Sequence, residues 1–512
     1  MAEGKRPSGN SILRAVFVGV SLLIQVGWLL LILLELNEYS AAISVITRLL
    51  ALIVVLRLYS RHTTAAMKMP WIMLMLVFPV MGLCLYLLMV LFGDLGNTGR
   101  RLKAVREKIR PWLPRQEEVL RRLEAEDLSV ANQCRYLCQN NGSPVYENTA
   151  VTYYSRARDA LEAMKRDLEK AESFIFMEYF IVQDGSAFRE LLQILVRKAA
   201  AGVEVRLMYD DIGSVGYVNW NFAKKLNAMG IRCRIFNPAL PFLNVFMNHR
   251  DHRKITVIDG KVAFTGGYNL AEEYFDRSHP YGQWKDTGLR LEGEAVRSLT
   301  GLFLELWNIS TRGEEDPGKY LQVSTPVPDA PGFVQPFGDD PLGKERVAEN
   351  VYLNLIASAK KKLYITTPYL IITDELRTAL ALAAKRGVDV RIVTPGIPDK
   401  KLVYAVTRSY YAGLASQGVR IYEYTPGFCH AKQCLCDGEL AMVGTSNLDY
   451  RSLYLHFENN VLFFDSDAVR DLESDFEELF AESREVTDQY RTGRGAMLRI
   501  WQCILRLFAP LL

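Results

Sequence analysis

The chain has 512 residues, a formal net charge of +3, 49% apolar residues and 23% charged ones. That length excludes a single ordinary domain and leaves room for two or three. The small net charge and the lack of any nucleic-acid-binding tract argue against a nucleic-acid partner, and eight scattered cysteines without paired CxxC knuckles argue against a zinc site or a disulfide scaffold and for buried free thiols.

In chain order, residues 1–95 are very apolar and read as a transmembrane anchor of two or three helices. Stretches 15–34 and 71–92 carry no charge, and each is long enough to cross a hydrocarbon core of ~30 Å. Stretch 39–56 is weaker because Arg48 lies inside it; it is a third span or an interfacial helix. Lys5, Arg6 and Arg14 put the N-terminus inside. With three spans the body would then lie outside, yet Arg100, Arg101, Lys103, Arg106, Lys108 and Arg110 argue for inside, so the face of the membrane stays open. Residues 96–139 read as a basic juxtamembrane segment able to rest on anionic headgroups.

From about residue 140 one unit is described twice. Ser173 to Tyr179 and Leu363 to Tyr369 have the β-branched and aromatic content of buried strands. After each comes a helical stretch, then a glycine turn into a second strand, at Gly202 and Gly387. Strand, helix, strand in that order predicts an α/β fold with mainly parallel pairing. The expected units are 140–312 and 344–512, joined by a Pro-, Gly- and Asp-rich linker over 313–343. They would meet face to face around one site. Residues 497–512, with Leu498, Trp501, Ile504, Leu505 and Phe508 at near-helical spacing, either pack on the core or dip into the membrane surface. The acidic run from Asp471 to Glu485 reads as the solvated face of a helix.

The repeat carries a chemical motif. His252, Lys254, Asp259, Gly266 and Asn269 recur with unchanged spacing as His430, Lys432, Asp437, Gly444 and Asn447. In a strand, His and Lys two apart share a face, so each half would present an imidazole beside an ammonium. Two such pairs facing each other suit a phosphodiester. Lys254 and Lys432, with Asn269 and Asn447, would meet the negative charge that builds on phosphorus oxygens. One neutral histidine would attack phosphorus while the other, protonated, serves the leaving alkoxide. His252 as nucleophile with His430 as acid, then base, is one assignment; the reverse is the other. No metal or cofactor is called for, because the lysines supply the cations. Asp259 and Asp437 complete the motif and read as holders of the turn after each strand.

These paired motifs resemble the phospholipase D superfamily, with two similar domains sharing one active site. Nearly the whole chain is similar to the bacterial cardiolipin synthases in that superfamily. The resemblance runs through Phe78-Pro79-Val80-Met81-Gly82, Asn248 to Lys254, Gly266-Gly267-Tyr268-Asn269, Trp284-Lys285-Asp286, Gly444 to Ser452 and the tail from Arg506 to Leu512. It implies a phosphohistidine intermediate, phosphatidylglycerol and membrane lipid as partners, and a place in the bacterial cell membrane. It also implies a carboxylate that orients each catalytic ring; Asp286 fills that position in the first half and Glu458 in the second. Two departures stand out: Gly267 where many members have Ser, and His456 where related synthases usually have Asn. His249 reads as a loop residue. The expected reaction is transfer of a phosphatidyl group between two phosphatidylglycerols, giving cardiolipin and glycerol. The alternatives are a membrane phospholipase D or another transphosphatidylase and, from a different class, a non-catalytic membrane scaffold.

Overall fold

The computed structural model describes residues 20, 23 and 27, and then 41–512 apart from 62–63, 93–94, 115–116, 239–247, 312–314, 324, 492–504, 508 and 510–512. The N-terminal part is helical: α1 (Ala41–Tyr59), α2 (Ala65–Val77), α3 (Pro79–Phe92) and α4 (Leu95–Ile109). Among the described residues no helix is long and apolar enough to cross a membrane. The span expected over 71–92 is instead split between α2 and α3. The break falls where chemistry requires it: Phe78 precedes a proline and leaves the helical region (φ −127°, ψ 75°), while Pro79 suits the first turn of the next helix. Stretch 39–56 falls largely within α1, and most of 15–34 lies outside the described residues.

The first half contributes β1 (Thr149–Tyr154), β2 (Phe174–Tyr179), β3 (Glu204–Asp210), β4 (Arg232–Phe236), β5 (Arg250–Asp251), β6 (Lys254–Ile258), β7 (Val262–Gly266), β8 (Gln283–Lys285) and β9 (Gly288–Gly293), followed by α5 (Val296–Ser310). The second contributes β10 (Phe333–Asp339), β11 (Lys362–Thr366), β12 (Asp389–Pro395), β13 (Arg420–Tyr424), β14 (Gly427–Cys429), β15 (Gln433–Cys436), β16 (Leu440–Gly444), helix α6 (Tyr450–Tyr454), β17 (His456–Phe464), helix α7 (Asp467–Glu482) and β18 (Ser483–Glu485). The sheets run β1-β9-β7-β6-β2-β3-β4 and β10-β17-β16-β15-β11-β12-β13-β18. These are the same order twice, with β18 added.

Pairing is mixed rather than mainly parallel. Along the two main sheets β2-β3-β4 and β11-β12-β13 are parallel, and the motif strands β6 and β15 join them antiparallel. The strand-helix-strand pattern foretold the parallel part, and the hairpins carrying the motifs reversed the rest. The stretch read as a linker contains a short helix, Gly318–Leu321, and the fully buried strand β10.

Side-chain alternation explains why these strands read as unbroken apolar runs. In β2, Ile175, Met177 and Tyr179 pack into the core of the first half, while Phe174 and Phe176 enter the core shared with the other sheet, against Phe303 of α5 and Tyr320. In β11, Leu363 and Ile365 face outward and Tyr364 inward. The shared inner core gathers Phe176, Val257 and Leu291 from one sheet, Leu435, Val443 and Val461 from the other, and Leu299 and Phe303 from α5. The seven described cysteines are all free, five of them buried. Leu505 and Ala509 of the tail pack into the core of the second half, which selects core packing for that part of the tail.

Candidate active site

Each half lends a short strand to the other. β5 pairs in parallel with the start of β17, and β8 pairs in parallel with β14. The exchange delivers the motif histidines to the boundary between the halves. Neither histidine lies in a strand as expected; His252 and His430 occupy extended links just before β6 and β15. The backbone N–H of His252 donates to the Phe457 carbonyl at 2.9 Å, and that of His430 to the Lys285 carbonyl at 2.7 Å. One residue beyond each of those carbonyls stands a carboxylate. His252 Nδ1 lies 2.9 Å from both Glu458 carboxylate oxygens, and His430 Nδ1 lies 2.6 Å from Asp286 Oδ2. Glu458 and Asp286 are therefore the ring partners, but the pairing crosses: each histidine is held by the carboxylate of the opposite half.

The lysines lie beside their histidines. Lys254 Nζ donates to the His252 carbonyl at 2.6 Å, and Lys432 Nζ donates to the His430 carbonyl and lies 3.0 Å from its Nε2. All four side chains are buried. Burial, then Lys254 and His456, push His252 well below its ordinary value. Burial and Lys432 push His430 down to about 3, against the pull of Asp286. Burial brings Lys254 down to about 7 and Lys432 to about 8, although the facing carboxylates oppose it. Burial likewise raises Glu458 well above the carboxylate range, although Ser452 and Thr445 donate to it. Burial thus favours the neutral form of both imidazoles, and a phosphate anion in the site would favour their charged forms and those of the lysines.

Asp259 and Asp437 do not reach the cavity. Asp259 accepts from the backbone N–H groups of Glu172, Ser173 and Phe174 at 2.7–2.8 Å, and Asp437 from those of Lys360, Lys361 and Lys362 at 2.7–3.0 Å. Both have left-handed backbones, with φ of 53° and 56°. Each caps the start of the neighbouring strand, so their place in the motif is structural. The asparagines differ. Asn269 spends its amide on the Ile181 N–H (3.1 Å) and the Tyr274 hydroxyl (2.8 Å), whereas buried Asn447 keeps an Oδ1 without a hydrogen-bond partner among the described residues. Asn447 therefore fits the expected binding role better than Asn269.

His252, His430, Asn269 and Asn447 line one cavity of about 510 Å³, with Phe180, Tyr274, Trp284, Tyr369, Lys400, Arg451, His456 and Ala509. Phe180 meets His252 edge-on at 5.0 Å, and Tyr274 meets His430 edge-on at 5.2 Å. Sequence reasoning did not single out these aromatic walls. Phe180 does follow the quoted strand that ends at Tyr179, and Tyr369 ends the matching strand. Gly267 has a geometric cause: a Cβ there would lie 2.1 Å from Asp286 Oδ1. At the equivalent place in the second half, Thr445 donates its hydroxyl to the longer Glu458. The acidic run is not all solvated. Asp475 of α7 is buried, bonded to Lys285 and to the Tyr153 hydroxyl (2.6 Å), and so ties the halves together behind the site.

Among the described residues, His252, His456 and Glu458 bring three possible metal-ligand atoms within 4.8 Å of one another. Glu458 already engages His252, Thr445 and Ser452, so this set fits an ion only by dismantling the histidine's support. Among the described residues neither ring nitrogen of His456 has a hydrogen-bond partner; its Nδ1 lies 3.8 Å from Glu458 Oε1, and its ring lies 5.5 Å from that of His252. His456 lines the cavity, where its Nε2 can meet a polar group of a substrate.

The profile described as "Cardiolipin synthase, PLD-like domain" matches residues 164–307 and 352–480, and the one described as "Phospholipase_D-nuclease N-terminal" matches 48–89. The chain is 42% identical over 446 residues to an uncharacterized protein of Streptococcus mutans, covering 86% of this chain and 96% of that one. It is 35% identical over 469 residues to cardiolipin synthase 2 of Bacillus cereus, covering 90% and 89%. Among solved structures, phosphatidylserine synthase of Haemophilus influenzae aligns over 74% of this chain and 97% of its own with a TM-score of 0.55 and 14% identity, a likeness of fold.

Proposed function

The chain belongs to the cardiolipin synthase family with phospholipase D-like domains, and from that premise we propose that it transfers a phosphatidyl group from one phosphatidylglycerol to another, releasing glycerol. The observation that carries this reading is the crossed pair of histidine–carboxylate contacts over one cavity, each histidine with a lysine beside it.

In the first step Nε2 of neutral His252 forms a bond to phosphorus as the bond from phosphorus to the glycerol oxygen breaks. The proton that the glycerol oxygen needs comes from the imidazolium of His430. Asp286 favours that charged form at His430, whereas the leading influences on His252 all oppose it, which supports this division of labour. In the second step a hydroxyl of another phosphatidylglycerol gives its proton back to His430, its oxygen bonds to phosphorus, and the nitrogen–phosphorus bond breaks. Lys254 and Lys432 hold the phosphoryl oxygens in both steps, and Asp286 and Glu458 position the rings. The chain is further proposed to work at a bacterial membrane, anchored through its apolar N-terminal region.

Purified protein supplied with phosphatidylglycerol should yield cardiolipin and glycerol in equal amounts. His252→Ala and His430→Ala should each abolish that yield. Phosphatidate without cardiolipin would reassign the enzyme to hydrolysis, and unchanged yield in both variants would remove the histidine mechanism.

A further inference from the structure

We infer that α2 and α3 form a re-entrant hairpin that enters the bilayer and leaves by the same face, beside the mouth of the active site; this rests on the reading of a membrane-lipid substrate. The two helices are antiparallel partners, folded back at Phe78-Pro79. Buried Met75 of α2 lies so close to Gly82 of α3 that a Cβ on Gly82 would come 2.8 Å from the Met75 Cα. Further from the turn, Trp71 and Tyr86 meet edge to face with ring centroids 5.9 Å apart. Helices of 13 and 14 residues rise about 20 Å, two thirds of the ~30 Å hydrocarbon core.

Both ends of the hairpin are tied to one folded body. At the start, the Thr64 hydroxyl bonds to that of Tyr454, and Ala66 and Met67 pack against the core of the second half. After the return, α4 buries Leu102 and Ile109 in the core between the sheets, and Arg106 pairs with Glu305 at 2.9 Å and Asp340 at 2.6 Å. A segment with both ends on one body, and each arm too short to cross, cannot deliver its ends to opposite faces.

The occupant of the outer surface follows from chemistry. No charged residue occurs from Met69 to Phe92. The large apolar side chains that α2 and the turn direct outward are Met69, Met73, Leu76, Val77 and Phe78, 42–62% exposed. Such a surface at the tip, with a basic helix (α4) where the chain returns, matches hydrocarbon below anionic headgroups. Tyr454, at the base, ends α6, whose Tyr450 and Arg451 line the catalytic cavity. The hairpin therefore sets the cavity against the surface from which a two-chain lipid is drawn.

The test uses the full chain in vesicles of phosphatidylglycerol and phosphatidylethanolamine, with Cys84, Cys138 and Cys503 replaced by Ala. Single cysteines go in at Arg61→Cys and Lys103→Cys, which flank the hairpin, and at Phe78→Cys at its tip. The flanking thiols should react with a membrane-impermeant maleimide from the same face. A nitroxide at position 78 should be relaxed strongly by oxygen and weakly by a water-soluble nickel complex. Flanks reacting from opposite faces would mean a crossing and overturn the inference. So would strong relaxation by nickel, which puts the tip in water, or weak relaxation by both, which puts another protein or a second copy over it. Lipid products are assayed on the same vesicles, so a chain that makes no cardiolipin but passes the accessibility tests counts against the proposed reaction and not against the hairpin.

Discussion

At the scale of single residues, the crossed contacts make a prediction that pairing within each half does not. Asp286 should serve His430, the acid, and Glu458 should serve His252, the nucleophile. A substrate whose leaving group is p-nitrophenolate needs no general acid. With it, Asp286→Asn and His430→Ala should still show a burst of nitrophenol as phosphohistidine forms, while Glu458→Gln and His252→Ala should not. With phosphatidylglycerol, each carboxylate variant should lose about 10²–10⁴-fold in turnover, as expected when a ring loses its orienting partner. A burst lost in Asp286→Asn and His252→Ala but kept in Glu458→Gln and His430→Ala would restore pairing within the halves, and the fully opposite pattern would make His430 the nucleophile. The lysines make a second prediction. With Lys254 near 7 and Lys432 near 8, much of their charge is absent at pH 8. A bound phosphate-like anion raises both, so tungstate binding at pH 8 should take up about one proton, falling toward none at pH 6. Titration calorimetry in two buffers of different ionisation enthalpy measures this. The same burial affects stability. His430 falls from 6.5 to about 3 on folding, so the stability it contributes is present above pH 6.5 and lost as pH falls toward 3.

At the scale of elements, Gly82 is where the N-terminal hairpin closes. In Gly82→Leu the new side chain meets the Met75 backbone, which cannot yield as a flexible side chain does. The arms should separate. Turnover of phosphatidylglycerol in vesicles should fall by about fivefold or more, with dihexanoyl-phosphatidylglycerol dissolved in water used within about twofold of normal, because interfacial grip and not chemistry is lost. Equal loss on both substrates would assign Gly82 to the fold of the body. This hairpin marks a boundary of what a sequence discloses. An uncharged run of 22 residues has the length of a span, and Pro79 alone does not distinguish a kink from a reversal; the small residue at 82 and the body contacts at both ends do. The doubled motif was legible because it repeats in fixed spacing, and β2 and β11 because their composition is local. The acidic run hid Asp475, because burial of one carboxylate among many depends on Lys285, 190 residues away. Strand β10 hid in a Pro- and Gly-rich stretch, since its place beside β17 is set by long-range pairing, where Pro336 is tolerated at the edge of the sheet.

At the scale of the whole molecule, the exchange of β5 and β14, which pair with β17 and β8 of the opposite halves, makes the two halves one catalytic unit. Each histidine takes a backbone hydrogen bond and its ring partner from the other half. The Lys254 N–H donates to Asn459 at 3.1 Å, and Asn459 in turn donates to Thr265 at 2.7 Å. The inner core belongs to both sheets at once. Cutting the chain within 312–324, before β10, should therefore leave two fragments that are each inert alone, since each would expose that core and hold a histidine without its carboxylate. Expressed together, they should associate one to one and recover much of the activity, because the contacts that build the site are non-covalent. Pairing a first fragment carrying Glu178→Gln with a normal second one should keep activity, because this buried carboxylate of β2 does not line the cavity and no step uses it. Pairing a first fragment carrying Asp286→Asn should lose activity at His430, in the fragment that was never altered. Co-purification followed by the lipid assay decides. An active single fragment, as would arise if two identical halves paired, would show that the cross-contacts are not obligatory. Failure of His430 to respond to Asp286→Asn across the cut would show that they do not carry the chemistry.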